Sequence, residues 1–188
     1  MSDPLIIQKR TAPATARSVV HSIARAIGEG VIPAGDRAAL RRTPPGEVGG
    51  SAFWKIAIRY LEPNGLLGAG NTPESDHNAA MWSTIISAIA AGPPLGTLSL
   101  GHALAGAHVT EARVLRLLKA TDSVLLDTVR TITHQLSAEG SSVDWGDIAE
   151  LVLSDGHQSS DFIRRRIAYD YYRSTEKKTS TMTKEVPS

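Results

Sequence analysis

The stretch from Ala79 to Ala91 constrains this chain more than any other. Met81, Trp82, Ile85, Ile86 and Ile89 spread round a helix so that the segment is apolar on nearly every side. A helix of that kind has to be central, with other elements covering it. It stops at Gly92-Pro93-Pro94, because a residue that precedes proline avoids helical backbone angles.

The rest of the chain offers covering elements of one type. Val19, Val20, Ile23, Ala24 and Ile27 recur at helical spacing from Ala14 to Ile27, with Arg17, His21 and Arg25 on the opposite stripe. Ser51 is placed to cap a helix running to Leu61 through Phe53, Trp54, Ile56, Ala57 and Tyr60. Beyond Pro94, LSLGHALAG reads as a short helix, Thr110 caps one through Ala120, and Asp122 opens another to about Leu136. Asp144 caps the next, with Trp145 at its first position and Asp147 in its first turn, and a last helix runs from about Ser159 to Arg173. No segment alternates apolar and polar residues between hairpin turns.

The expected fold is therefore all-α: two small helical bundles in one chain, residues 14–92 and 95–174, divided at Gly92-Pro93-Pro94. Residues 1–13 read as a flexible arm and 175–188 as a polar, disordered tail. The stretch 63–78, PNGLLGAGNTPESDHN, reads as a long loop of the sort that is functional or mobile.

Composition removes several classes of function. No apolar run approaches the ~20 residues of a membrane span, so no membrane partner is expected. The N-terminal apolar patch is too short for a signal peptide. The absence of cysteine excludes disulfides, thiol nucleophiles and thiolate metal sites together, which fits a reducing, cytoplasmic setting. Net charge is only +1, so any surface for nucleic acid has to be a segregated stripe.

Two such stripes are present. GDRAALRR, from Gly35 to Arg42, reads as a short helix capped by Gly35 or Asp36; Arg37 and Arg41 lie one above the other, Arg42 sits at the edge of their stripe and Leu40 points away. In the helix after Thr110, Arg113, Arg116 and Lys119 share one arc while Val114, Leu117 and Leu118 cover the other. Ordinary amphipathicity explains both patterns. The planar guanidinium fork, however, also matches phosphate oxygens.

GDRAALRR, SAFWKIA, LSLGHALAG, VTEARVLRLLKA, SVDWGDIAELVL and RRRIAYDYYR together resemble, in order and spacing, the CasB family, the small subunit of the type I-E CRISPR surveillance complex, Cascade. The resemblance covers about residues 15–174. It implies a non-catalytic protein without cofactors, present as two copies that touch the backbone subunits, the large subunit and each other. It implies contact with guide RNA and target DNA and stabilisation of the displaced strand of the R-loop, with cutting left to a recruited nuclease-helicase. Carried onto this chain, the family's basic positions fall on Arg37, Arg41 and Arg42, on Arg113 and Lys119, with Arg116 on the same arc, and on Arg130. These would meet backbone phosphates while guide pairing reads sequence. The chain departs from the family's pattern at His102, where an arginine is often found, and at LSDGHQSSD, which bears on Arg164 and Arg165. Arg166 is expected to pair with Asp170, four residues on, in a structural role.

Two other readings stand beside this one. For an enzyme, the candidates would be His21, His77, His102, His108, His134 and His157 with Asp76, Asp144 and Asp147. None forms a metal motif, and no phosphate loop or nucleophile elbow is present, so neither catalytic nor metal-binding residues are expected. The alternative is a helical scaffold that binds only proteins. Trp54, Trp82 and Trp145 are expected in the cores rather than in base stacking.

Overall fold

A computed structural model describes residues 15–68 and 72–184, with side chains to residue 177. The arm expected over 1–13 lies outside the described residues, as do 185–188 of the expected tail. The elements are α1 (Ala16–Gly28), α2 (Ala34–Arg42), α3 (Ser51–Ile56), α4 (Pro73–Ala91), α5 (Leu100–Gly106), α6 (Glu111–Lys119), α7 (Asp122–Ala138), α8 (Trp145–Leu153) and α9 (Ser160–Lys184). The fold is all-α, as the periodicity indicated. Among the described residues the single extended pairing is an isolated parallel bridge between Leu95 and Val143, which ties the chain after Pro94 to the start of α8.

The central helix is α4. Every residue from Trp82 to Ala90 is buried, and α1, α2, α7 and α8 pack round it. Its polar residues hold the neighbouring joint: Ser83 Oγ accepts the Gly49 amide at 2.9 Å, and Thr84 Oγ1 accepts the Gly46 amide at 2.9 Å. That fixes TPPGEVGG and, with it, the C-terminal end of α2. Helices from both sides of Gly92 contribute to one hydrophobic cluster that includes Val20, Ile23, Leu40, Ile86, Leu104, Leu125 and Trp145.

Several local expectations need correction. The loop expected over 63–78 is shorter than the sequence indicated, because α4 already starts at Pro73 and takes in its last six residues. Thr72 accepts the Ser75 amide, Pro73 pre-sets the first turn, and Glu74 and Asp76 meet the positive end of the dipole. Neither Gly35 nor Asp36 caps α2, whose N-cap is Pro33; Asp36 instead receives the Lys55 ammonium at 3.0 Å. Gly50, not Ser51, is the N-cap of α3, which then loosens into a π-helical turn, Ala57–Leu61. Trp82 and Trp145 are buried as expected, but Trp54 is 45% exposed. It stands about 100° round the helix from Phe53, outside the face formed by Phe53, Ile56 and Ala57. Finally, α9 continues past Arg173 to Lys184, through most of the segment expected to lack order.

Candidate nucleic-acid interface

Four arginines end their side chains on the carbonyls of helix C-termini. Arg37 donates from Nη1 to Ile27 O in the last turn of α1 at 3.4 Å, and Arg41 from Nε to Ala90 O in the last turn of α4 at 2.6 Å. Arg130, on α7, donates from Nη2 to Arg41 O at 2.9 Å and from Nη1 to Thr43 O, closing the end of α2. Arg164 does the same for α6, reaching Leu118 O at 2.6 Å and Ala120 O at 2.8 Å, with Asp155 at 2.8 Å as its ion-pair partner. These termini carry orphan carbonyls and the negative end of a helix dipole, so a guanidinium satisfies both needs at once. Arg37, Arg41 and Arg130 thus each have an internal contact as well as the cationic character read from the sequence.

The remaining cations distribute round α7. Arg42 is exposed at the end of α2, next to the Arg41 and Thr43 carbonyls that Arg130 holds, and has no hydrogen bond or ion pair among the described residues. Round α7 from Arg130, Arg113 and Arg116 line a groove of about 230 Å³ with Asp127, Thr128, Thr131 and Ile132. Arg113 is steered into it by Gln135, whose Oε1 accepts from Nη1 at 2.7 Å. Arg116 is free of such contacts among the described residues, and Asp127 pairs with neither arginine. Arg130 and the groove residues Asp127 and Thr131 all fall within about one turn of α7. Arg37 and Arg41 line a different groove, of about 460 Å³, with Arg25, Pro93 and Trp145. Lys119 is exposed at the C-terminal end of α6 and does not line the Arg113 groove.

Comparison with known proteins decides the family. The family model of CRISPR-associated protein Cse2 matches residues 36–172, most of the chain, including α6, α7, all but the first two residues of α2, and both grooves' arginines except Arg25. The chain belongs to the Cse2 family. That family is the small subunit of type I-E Cascade, CasB, so this is a CRISPR Cascade subunit. No curated protein and no solved structure gave a significant match.

The Cse2-family chain also carries an ionic cluster that its sequence did not disclose. Arg17 on α1 donates to Asp144 at 3.0 Å and Asp147 at 2.7 Å, and Arg166 on α9 donates to Asp147 at 3.0 Å and Glu150 at 2.7 Å. His21 Nε2 lies 2.6 Å from Asp144 Oδ1, which also accepts the Gly146 amide. Asp147 Oδ2 accepts the Leu100 amide at the start of α5. One nearly buried carboxylate therefore joins α1, α5, α8 and α9. Burial pushes the Asp147 carboxyl above its ordinary range, while the Leu100 amide and the Arg166 and Arg17 guanidiniums pull it back. Gly146 leaves room for this, since a Cβ there would sit 2.5 Å from Arg17 Cγ.

Arg166 is structural as expected, but its partners are Asp147 and Glu150 rather than Asp170; Asp170 accepts the Ser99 hydroxyl at 2.6 Å. That hydroxyl lies 2.7 Å from His102 Nδ1, which links His102 to α9. Asp144 caps α8 as its place in the sequence indicated. Among the described residues no group of three or more His, Asp or Glu side chains could hold a metal ion, and no helix is long and apolar enough to cross a membrane.

Proposed function

We propose that this Cse2-family subunit of Cascade grips nucleic-acid backbone on the face made by the end of α2, the exposed side of α7 and α6. Arg42, Arg113 and Arg116 make the primary phosphate contacts. Arg37, Arg41 and Arg130 add charge to the face while holding it together, and Lys119 extends it at the end of α6. The observation that carries this reading is the Arg130 clasp, which locks the end of α2 to the helix that lines the Arg113 groove. A preset array of guanidiniums recognises backbone and shape rather than bases, as suits a complex whose guide does the sequence reading.

In this reading the subunit is non-catalytic, needs no cofactor and works in the cytoplasm. It sits beside the backbone and large subunits and a second copy of itself, in contact with guide RNA and target DNA, and steadies the displaced strand of the R-loop in antiviral defence. With net charge at +1, the isolated chain binds weakly and its neighbours supply much of the affinity.

Reconstitution tests it. Cascade assembled with the R42A/R113A/R116A subunit should incorporate that subunit normally and form R-loops that dissociate faster than wild type. Unchanged R-loop lifetime, with normal incorporation, favours the other reading, a helical scaffold without direct nucleic-acid contact. One observation supports that rival: Arg37, Arg41 and Arg130 already spend donors on helix ends.

A further inference from the structure

The outer side of α9 carries the two most exposed aromatic rings among the described residues. Phe162 is 68% exposed and Tyr169 62% exposed, whereas large aromatic side chains ordinarily bury most of their surface. Between and beyond them stand two exposed arginines. Taking Phe162 as origin at ~100° per residue, Arg165, Tyr169 and Arg173 all fall within about 60° of it, so rings and guanidiniums alternate along one stripe.

The groups are held in this order. Arg173 lies over the Tyr169 ring, Cζ 5.9 Å from its centroid. Arg165 donates from Nε to Asp161 O, a turn back on its own helix, at 3.3 Å, and its terminal nitrogens have no partner among the described residues. Tyr172, at the margin, is fixed by its hydroxyl on Glu111 of α6 at 2.7 Å and by edge contact with buried Tyr171. The opposite side of α9 is occupied: Ile163, Ile167 and Tyr171 are in the core and Arg164 is tied to α6, while Arg166, about 40° from Phe162 at the inner edge of the stripe, is tied to α8. Among the described residues, no hydrogen bond or ion pair ties Phe162, Arg165, Tyr169 or Arg173 to another element.

We infer that this stripe is a second nucleic-acid contact, a stacking platform for the bases of a single strand built from Phe162, Tyr169 and the interleaved guanidiniums of Arg165 and Arg173. Rings offer their faces to bases of any sequence, and an arginine beside each ring meets the phosphate or stacks in turn. From Phe162 to Tyr169 is about 10 Å along the helix axis, the length of about three stacked bases. A single strand fits and a duplex does not, because a duplex presents its bases only at groove edges. The acids Asp161 and Glu176 flank the stripe and offset the two arginines. Stacking therefore carries more of this contact than charge does, in contrast to the proposed phosphate face on α2, α6 and α7.

That contrast makes the test independent of the proposed function. Full-length chain is titrated into two labelled strands of equal length, an oligodeoxythymidine and an abasic deoxyribose-phosphate strand, and binding is read by anisotropy. Wild type should prefer the strand with bases. Phe162→Ala and Tyr169→Ala should each weaken oligodeoxythymidine binding by about fivefold and leave the abasic strand unaffected, and Tyr169→Phe should retain wild-type binding. Both alanine variants remove exposed rings, so the helicity measured by circular dichroism should not change. R113A/R116A should weaken both strands and keep the preference for bases. Equal wild-type affinity for the two strands, or alanine variants that bind like wild type, overturns the platform and leaves the phosphate face standing. The latter result is what a protein-docking stripe would give. No binding of either strand overturns both.

Discussion

The Arg130 guanidinium donates to the backbone carbonyl of Arg41 across α7 and α2, at 2.9 Å, and its second terminal nitrogen takes the Thr43 carbonyl. One side chain thus closes the end of the arginine helix and sets where Arg42 stands. Arg130→Ala should destabilise the fold by about 2 kcal/mol, the scale of losing two charge-assisted hydrogen bonds, of which the one to Thr43 O is part-buried and the one to Arg41 O exposed. Arg130→Lys should recover little of it, since an ammonium cannot reproduce the planar fork. Urea unfolding checks both; an alanine variant as stable as wild type would mean that the clasp holds nothing.

Arg17 compensates a cluster of three carboxylates, Asp144, Asp147 and Glu150. Arg17→Ala should cost about 3 kcal/mol at neutral pH, the low end for breaking a buried pair, because the Arg17 side chain keeps 33% of its surface in water. The sign with pH follows from Asp147. Its folded carboxyl titrates above its ordinary range, and without Arg17 it moves further up. Its protonated form is then favoured in the fold, so stability falls as pH rises through that window and the gap to wild type widens. Acidification towards pH ~4 should narrow the gap. A gap that widens on acidification would contradict this account.

Gly101 lies where α5 meets α9 backbone to backbone: a Cβ there would sit 2.4 Å from Ile167 O and 2.8 Å from Tyr171 N. Neither neighbour is a flexible side-chain tip. Gly101→Ala should therefore destabilise by roughly 1–3 kcal/mol through overpacking, despite alanine's better helix propensity. Thermal unfolding would show a lower Tm; an unchanged or higher Tm would mean that the two helices part without cost.

Asp127 is the one acid that lines the Arg113 groove, and it pairs with neither of the groove's arginines. On the proposed function, Asp127→Asn removes a repulsion against incoming phosphates and should tighten single-strand binding by a few-fold at low salt, with the gain fading as salt rises. Weaker binding by this variant would place the strand elsewhere.

Much of the fold was legible because helical period is a local property. The buried face of α1, the all-round burial of α4 and the Asp144 cap of α8 follow from residues within a few turns of one another. The start of α4 was legible too, in Thr72-Pro73 followed by Glu74 and Asp76, but the preceding glycines and asparagines pointed to loop. Exposure of Trp54 could have been read from its angle to Phe53, had apolar character not been equated with burial. The clasps of Arg37, Arg41, Arg130 and Arg164 were not legible, since their acceptors are main-chain carbonyls and carry no side-chain signature. The same holds for Arg17, whose partners lie in another helix far along the chain. Basic residues could be assigned to faces from periodicity, but not divided into those facing solvent and those closing helices.

The central claim is that Arg42, Arg113 and Arg116 hold phosphates. The direct measurement is the affinity of the full chain for an oligodeoxythymidine at a series of salt concentrations, for wild type and for the R42A/R113A/R116A variant. Three lost phosphate contacts should weaken binding and flatten the slope of log affinity against log salt by about 2, at ~0.7 per contact on a single strand. An unchanged affinity and slope, with helicity intact by circular dichroism, would contradict the account.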